Sequence, residues 1–362
     1  MQHALPYPII TYMQITLAYN LRPTNIDRND PSLERYIEGD EWKTIKAIGD
    51  AIEANGNSVH YLPIEADFYT KLQEVKATTD LLFNYTEGVN MQGADREAQV
   101  PMLCEILGIP YTGPGPLASA LILNKFRTKQ IWKYAGVPVT PSQLISHKKV
   151  TLDPGLTYPL LVKPNADGSG VGIHNTSIVH NQKELDHAVA TILDTYHEDA
   201  LVEQFLPGRE FTIGIVGNGR EARTLPIIEI NFAAFPKGSA AIDTYEAKFV
   251  YGVTGVAEET EFCPAKIEKK LEEELIDISL RAYHAIGCRD FGRLDIRLDS
   301  AGKPFVLEIN HPPGLMSDPA ESSFFTIAAR AAGWDFTMLI GQVLDAAAKR
   351  LKLTPTKHHL SV

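Results

Sequence analysis

"GRLDIRLDSAGKPFVLEIN", residues 292–310, is the stretch that decides the fold. Alternation in its first half puts Arg293, Asp295 and Arg297 on one face of a strand, with Leu294, Ile296 and Leu298 on the other. "SAGK" reads as a turn and "PFVLEIN" as the returning strand. A turn centred between Ala301 and Gly302 sets Asp295 opposite Glu308 and Arg293 opposite Asn310. Directly opposed side chains sit with Cβ atoms about 4.5–5.5 Å apart, where like charges destabilise. Two facing carboxylates therefore call for a compensating cation. The donors are all oxygens, without histidine or thiol, which suits Mg²⁺ held partly by phosphates. The alternative is a half-exposed hairpin in which Asp295 bridges Arg293 or Arg297 and Glu308 is solvated.

A second stretch bears on that choice. "LLVKPNADGSGVGIH", residues 160–174, ends an apolar run in Lys163 and Pro164 and then supplies glycines and a serine. It has the composition of a phosphate-binding loop but not the Walker spacing, because its lysine precedes the glycines. The adjoining segment, "IHNTSIVHN", is β-branched and polar with no helical apolar face, so a strand is expected there.

Length allows two or three domains: the chain has 362 residues, 44% hydrophobic and 22% charged, a soluble globular profile. Its net charge of -11 and lack of a basic stripe argue against a nucleic-acid partner. The first twenty residues have no basic n-region and are interrupted by Pro6, Pro8 and Gln14, so neither a signal peptide nor a membrane span is expected. Three widely spaced cysteines, Cys104, Cys263 and Cys288, suit neither a disulfide framework nor a zinc site, and point to a cytoplasmic location.

Along the chain, "EWKTIKAIGDAIEANG" carries Ile45, Ile48, Ala51 and Ile52 at helical spacing, and "SVHYLPI" and "DLLFNY" read as strands. "REAQVPMLCEILG" is a helix closed by Gly108. This alternation predicts a small α/β unit with a parallel sheet. Further on, "PAKIEKKLEEELIDISLRAYHAIG" places Ile267, Leu271, Leu275, Ile278 and Ala282 in one stripe, a core-facing helix. His358 and His359 fall in a tail expected to fray.

An upstream strand lysine, a glycine loop running into a strand, and a D…E-x-N hairpin together resemble the ATP-grasp fold. The resemblance is closest to the D-alanine–D-alanine ligase family, over residues 80–344. It is carried by "GIPYTGPGPLASALILNKFRTK", "VEQFLPGREFTIGI", "YEAKFV", "FGRLDIRLD" and "LEINHPPG", in family order. It implies α/β and α+β architecture: an N-terminal Rossmann-like substrate domain (residues 1–122) and two ATP-grasp subdomains, central (123–206) and C-terminal (207–362). The nucleotide would lie between the latter two under the glycine loop as a lid.

The same resemblance implies residue roles. Lys125, Lys163 and Lys248 would approach the ATP phosphates, with Gly168, Ser169 and Gly170 in the lid. Glu203, Phe205 and Leu206 would lie at the adenine and Glu210 at the ribose. Asp295, Glu308 and Asn310 would hold magnesium (two ions, replaceable by Mn²⁺), with Asn310 also touching the nucleotide. Arg293, Lys248 and Ser169 would serve the reacting centre. Glu87, Asp95, Arg293, Gly314 and Ser317 would line the substrate pockets. A homodimer through the N-terminal domain is likewise implied.

The implied chemistry is amide formation from a carboxylate and an amine, through an acyl phosphate that a closed lid keeps from water. The pockets depart from the family pattern. The "GG-S-E…S" segment has no clean counterpart, "EGDEWKTI" around Glu41 being the nearest. "TEGVNMQGADREAQ" replaces "HG…GEDG", Phe249 stands where many members carry tyrosine, and "HPPGLMSDPAESSFF" has Pro319 near the place of the substrate-binding serine. The expectation is therefore an ATP-dependent ligase of amino-acid-like substrates outside standard cell-wall synthesis. Two alternatives are a D-alanine–D-alanine (or D-alanine–D-lactate) ligase with a divergent pocket, and a non-catalytic ATP-binding regulator.

Overall fold

The computed structural model describes residues 12–353, apart from 25, 27–29, 92, 236, 239, 243, 245–259 and 322. "YEAKFV", with Lys248 and Phe249, and the tail with His358 and His359 lie outside the described residues.

Strand β1 (Gln14–Tyr19) runs parallel to β2 (Ser58–Pro63) on one side and β3 (Leu81–Tyr85) on the other. All five residues of β3 and five of the six in β1 are buried, as in a parallel sheet covered on both faces. The helix Trp42–Ala54 buries Ile45, Ile48, Ala51 and Ile52, the stripe read from the sequence. This sheet does not close its core alone. Ile15, Leu17 and Phe83 share one apolar cluster with Phe291, Phe325 and, from the helix Phe336–Leu351, Leu339 and Val343. The two ends of the chain thus pack together.

Strands β4 (Ser142–Ile145), β5 (Leu160–Pro164), β6 (Ile178–Val179) and β7 (Ala200–Gln204) form an antiparallel sheet in the order β4-β7-β5-β6. The strand expected after the glycines shrinks to the two residues of β6. Before it, Asn175–Ser177 make a 3-10 turn, with the His174 amide donating to Ser177 Oγ at 3.0 Å. Short polar side chains offer the backbone such local partners and so displace a ladder.

The third sheet contains β8 (Glu210–Val216), β9 (Arg223–Thr224), β10 (Ile228–Ile230), β11 (Glu261–Phe262), β12 (Phe291–Leu298) and β13 (Pro304–Asn310). The helix Lys269–Ala285 covers it with Leu275, Ile278 and Ala282; Ile267 and Leu271 are only partly buried. In the β12–β13 hairpin Arg293 pairs with Asn310 and Asp295 with Glu308, the register read from the sequence. The turn itself is tighter than expected, because Ile296 pairs with Val306 and a bulge absorbs the extra residue. Bulges re-aim side chains, and here Leu307 and Glu308, neighbours in sequence, both line one cavity.

Cys104, Cys263 and Cys288 are free thiols. Among the described residues no helix is long and apolar enough to cross a membrane.

Candidate active site between the hairpin and the glycine loop

A cavity of about 680 Å³ lies between the central sheet and the hairpin. One end is apolar, with Leu161, Ile173, Phe205, Leu206, Ile242 and Leu307; Lys163, Glu203, Asp295 and Glu308 line the other. Glu210 borders it too, held at 2.8 Å by Arg297. The Arg297 guanidinium lies 5.2 Å from the Phe205 ring and 5.0 Å from the Phe232 ring, which fixes the wall beside Phe205.

At the polar end, Lys163 Nζ sits 3.0 Å from Glu203 Oε2 and 3.5 Å from Glu308 Oε2, and Lys129 Nζ sits 2.9 Å from Glu203 Oε1. Burial alone would raise the Glu203 pKa, but the two lysines reverse it and hold the carboxyl below its ordinary value. Burial also opposes the charge on Lys163, and Glu203 and Glu308 outweigh it, so that pKa is raised. Lys129 goes the other way: burial, aided by the like charge of Lys163, lowers it. The carboxylate of Glu203 is thus engaged by two lysines.

Asp295 accepts from Thr212 Oγ1 at 2.6 Å, from Arg293 Nη2 at 2.9 Å and from Asn310 Nδ2 at 2.9 Å. Glu308 faces Lys163, and Lys125 Nζ at 3.9 Å. The compensating positive charge demanded by the sequence is therefore present in the chain itself, as Arg293 on one carboxylate and two lysines on the other. The donor set still fits magnesium in its chemistry, since Asp295, Glu308 and Asn310 come together on the paired strands of the hairpin and all offer hard oxygen ligands. Among the described residues no three or more His, Cys, Asp or Glu side chains form a group that could hold a metal ion.

The glycine loop is gripped from the N-terminal unit. Gly168 N donates to Glu38 Oε1 at 2.7 Å and Gly172 N to Glu34 Oε2 at 3.1 Å, both from the 3-10 helix Pro31–Glu38. A Cβ on Gly168 would stand 2.5 Å from Glu38 Oε1, so a larger residue would have to displace that carboxylate from the loop. Ser169 sits at φ +52°, a left-handed backbone rare for a side-chain-bearing residue. Lys125 Nζ donates to the Asp167 carbonyl at the foot of the loop. Arg96, with no solvent exposure, ties Glu38 at 2.6 Å to the Ala166 carbonyl at 2.9 Å.

A second cavity, about 430 Å³, opens behind the loop. Its walls include Glu38, Glu87, Glu97, Ser169, Asn310 and His311, and it shares Glu308 with the first. Several residues named from the sequence stand elsewhere. Asp95 is exposed at the start of a 3-10 turn, and two residues later that turn directs Glu97 to the cavity instead. Within "EGDEWKTI" Glu41 pairs with Lys43 at 3.3 Å on the surface, and it is the first residue of that segment, Glu38, that lines the cavity. Gly314 accepts from Ser323 Oγ at 2.6 Å, and neither it nor Ser317 lines either cavity.

Burial pushes the Glu97 carboxyl up to about 8, with Arg96 opposing and Glu38 adding to the rise. A carboxyl that holds its proton more tightly when folded stabilises fully below its unfolded pKa, near 4.5, and that stability is lost as pH rises through about 8. Denaturant unfolding measured across this window should show stability falling with pH, with a shallower fall in Glu97→Gln. An identical profile in the variant contradicts the placement of Glu97.

The family model described as D-ala D-ala ligase C-terminus matches residues 131–345, more than half of the 362-residue chain. The chain belongs to the D-alanine–D-alanine ligase family. An uncharacterized protein of Sinorhizobium fredii is 38% identical over 75% of this chain and 76% of its own. The D-alanine–D-alanine ligase of Pseudomonas entomophila is 34% identical over 88% of this chain and 91% of its own. Among solved structures, the D-alanine–D-alanine ligase of Bacillus anthracis, complexed with ATP, aligns with a TM-score of 0.66. It covers 94% of this chain and 99% of that one at 22% identity, a likeness of fold. For a D-alanine–D-alanine ligase family member, the ATP-grasp architecture and the hairpin are as expected. Of the carboxylates around the second cavity, Glu87 and Glu308 were named from the sequence and Glu38 falls in the quoted "EGDEWKTI", whereas Glu97 was not foreseen.

Proposed function

We propose that this family member is an ATP-dependent carboxylate–amine ligase acting on amino-acid-like substrates other than a pair of D-alanines. The observation that carries the reading is Glu308, which lines both cavities. A nucleotide in the first, with its base among Phe205, Leu206 and Leu307 and its ribose towards Glu210, sends its phosphates to Lys163 and the hairpin. A donor carboxylate in the second meets them there.

Transfer of the γ-phosphoryl group to a donor oxygen gives ADP and an acyl phosphate. The acceptor nitrogen then attacks the carbonyl carbon, loses a proton, and expels phosphate with the C–O bonding pair. Lys163 and Lys125, with Lys248, neutralise the phosphates, and Arg293 stabilises the oxyanion. Asp295, Glu308 and Asn310 would hold magnesium (two ions, replaceable by Mn²⁺), which supplies charge neutralisation on the transferring group. Ser169 and its flanking glycines close over the reaction and exclude water. The reading includes three working units (residues 1–122, 123–206 and 207–362) and a cytoplasmic homodimer joined through the first. A monomer in sedimentation at micromolar concentration contradicts the dimer.

The test is a panel of amino acids offered pairwise with MgATP, scored by released phosphate and product mass. A mass equal to the two substrates minus water supports the ligase. Fastest release with two D-alanines contradicts the altered pocket, and no release with any pair contradicts the ligase.

A further inference from the structure

The second cavity is unevenly paired. Glu38 is taken by Arg96 at 2.6 Å and by Gly168 N at 2.7 Å, and Glu308 faces Lys163 and Lys125. The other contacts of Arg96 go to the carbonyls of Gly93 and Ala166 and to Asp167. Glu87 and Glu97 are left. Neither carboxylate has a hydrogen bond or ion pair with any described residue. Glu97 is 9% exposed with Oε2 unpartnered, and His311, 5% exposed on the same wall, has Nε2 unpartnered. Buried polar atoms are nearly always satisfied, and a carboxylate is the costliest one to leave alone. Arg96, whose Nε is itself unpartnered, opposes the rise of both carboxyls without donating to either, so the two lack a cationic hydrogen-bond donor of their own.

Resting on the ligase reading, we propose that the acyl donor is a basic amino acid. Its carboxylate lies at Glu308 and Asn310, and its two positive groups are held by Glu87 and Glu97. The donor carboxylate has cations of its own at the hairpin, so it does not draw on this charge. The α-ammonium, one carbon from the carboxylate, is a single positive charge for two carboxylates. The second charge therefore belongs to the side chain. An alanine donor would leave one carboxylate buried and unpaired, which builds rejection of small neutral donors into the pocket. The empty cavity agrees: burial, then Glu38 and Glu97, push the Glu87 carboxyl well up, with Arg96 opposing. Burial raises Glu97 as well, against Arg96 and Lys125. A bound dication reverses both shifts and expels the protons the two carboxyls hold.

The experiment is calorimetric titration of the full chain in MgADP with both enantiomers of lysine, ornithine, arginine and alanine. The preferred basic enantiomer should bind at least about ten-fold more tightly than alanine of the same hand, about 1.4 kcal/mol. Its heat should vary with the ionisation enthalpy of the buffer, reporting proton release. Glu87→Gln and Glu97→Gln should each bring the preference close to one. Alanine binding as tightly as lysine overturns the proposal, as does a preference unchanged in both variants. Neutral donors yielding ATP-dependent product overturn it while leaving the ligase standing. Tight lysine binding without ADP formation from ATP supports the cationic site and removes the ligase. Failure of every amino acid to bind counts against both.

Discussion

Lys163→Met should yield a protein that turns over ATP about 10²–10³ times more slowly, the scale expected for removing one preorganised charge from phosphoryl transfer. It should also unfold far more easily. Lys163 is 3% exposed and lies between two carboxylates. Removing one partner of a buried ion pair typically costs about 3–5 kcal/mol. Glu203 keeps Lys129 at 2.9 Å, so the lower end of that range is expected. Lys129→Met provides the control. It breaks the other side of the Glu203 pair, and Glu308 acts on Lys129 only at longer range than on Lys163, so its stability loss should be similar and its rate loss smaller. Denaturant unfolding and phosphate release measured on both variants separate the effects. Near-normal turnover in Lys163→Met contradicts a role at the phosphates.

Glu308→Gln should have the opposite profile, losing rate and keeping stability. Its side chain is 24% exposed and its lysine contacts are 3.5 and 3.9 Å long. After allowance for solvent screening, the stability change should stay within about 1 kcal/mol. From sequence alone, two facing carboxylates suggest that neutralising one would stabilise the protein. Arg293 and the lysines already balance that charge, so no gain is expected. Phosphoryl transfer should fall about 10²–10³-fold through loss of a metal-binding charge. Turnover close to normal removes Glu308 from the metal site.

The hairpin was legible because strand alternation and a short polar turn are local signals, and they set Asp295 against Glu308 correctly. The bulge that brings Leu307 to the cavity was not, since nothing in "PFVLEIN" marks one extra residue. Lys163 and its glycines announced themselves, whereas Glu38, 130 residues away, gave no sign of holding Gly168 N. Lys129 and Arg96 sit in segments that read as ordinary helix, where a charged residue is usually solvated; both are almost fully buried. Asp95 and Glu97 show the limit most clearly. Both are acidic and two residues apart, and only the direction of a 3-10 turn decides which one lines the cavity.

The most direct test traces the oxygen atoms. An acyl phosphate requires that one oxygen of the donor carboxylate leave with the phosphate. With the wild-type protein, MgATP, an acceptor and a donor labelled with ¹⁸O in its carboxylate, the released phosphate should carry one ¹⁸O per product formed. Product that forms with unlabelled phosphate, or with release of AMP and pyrophosphate, would contradict the account.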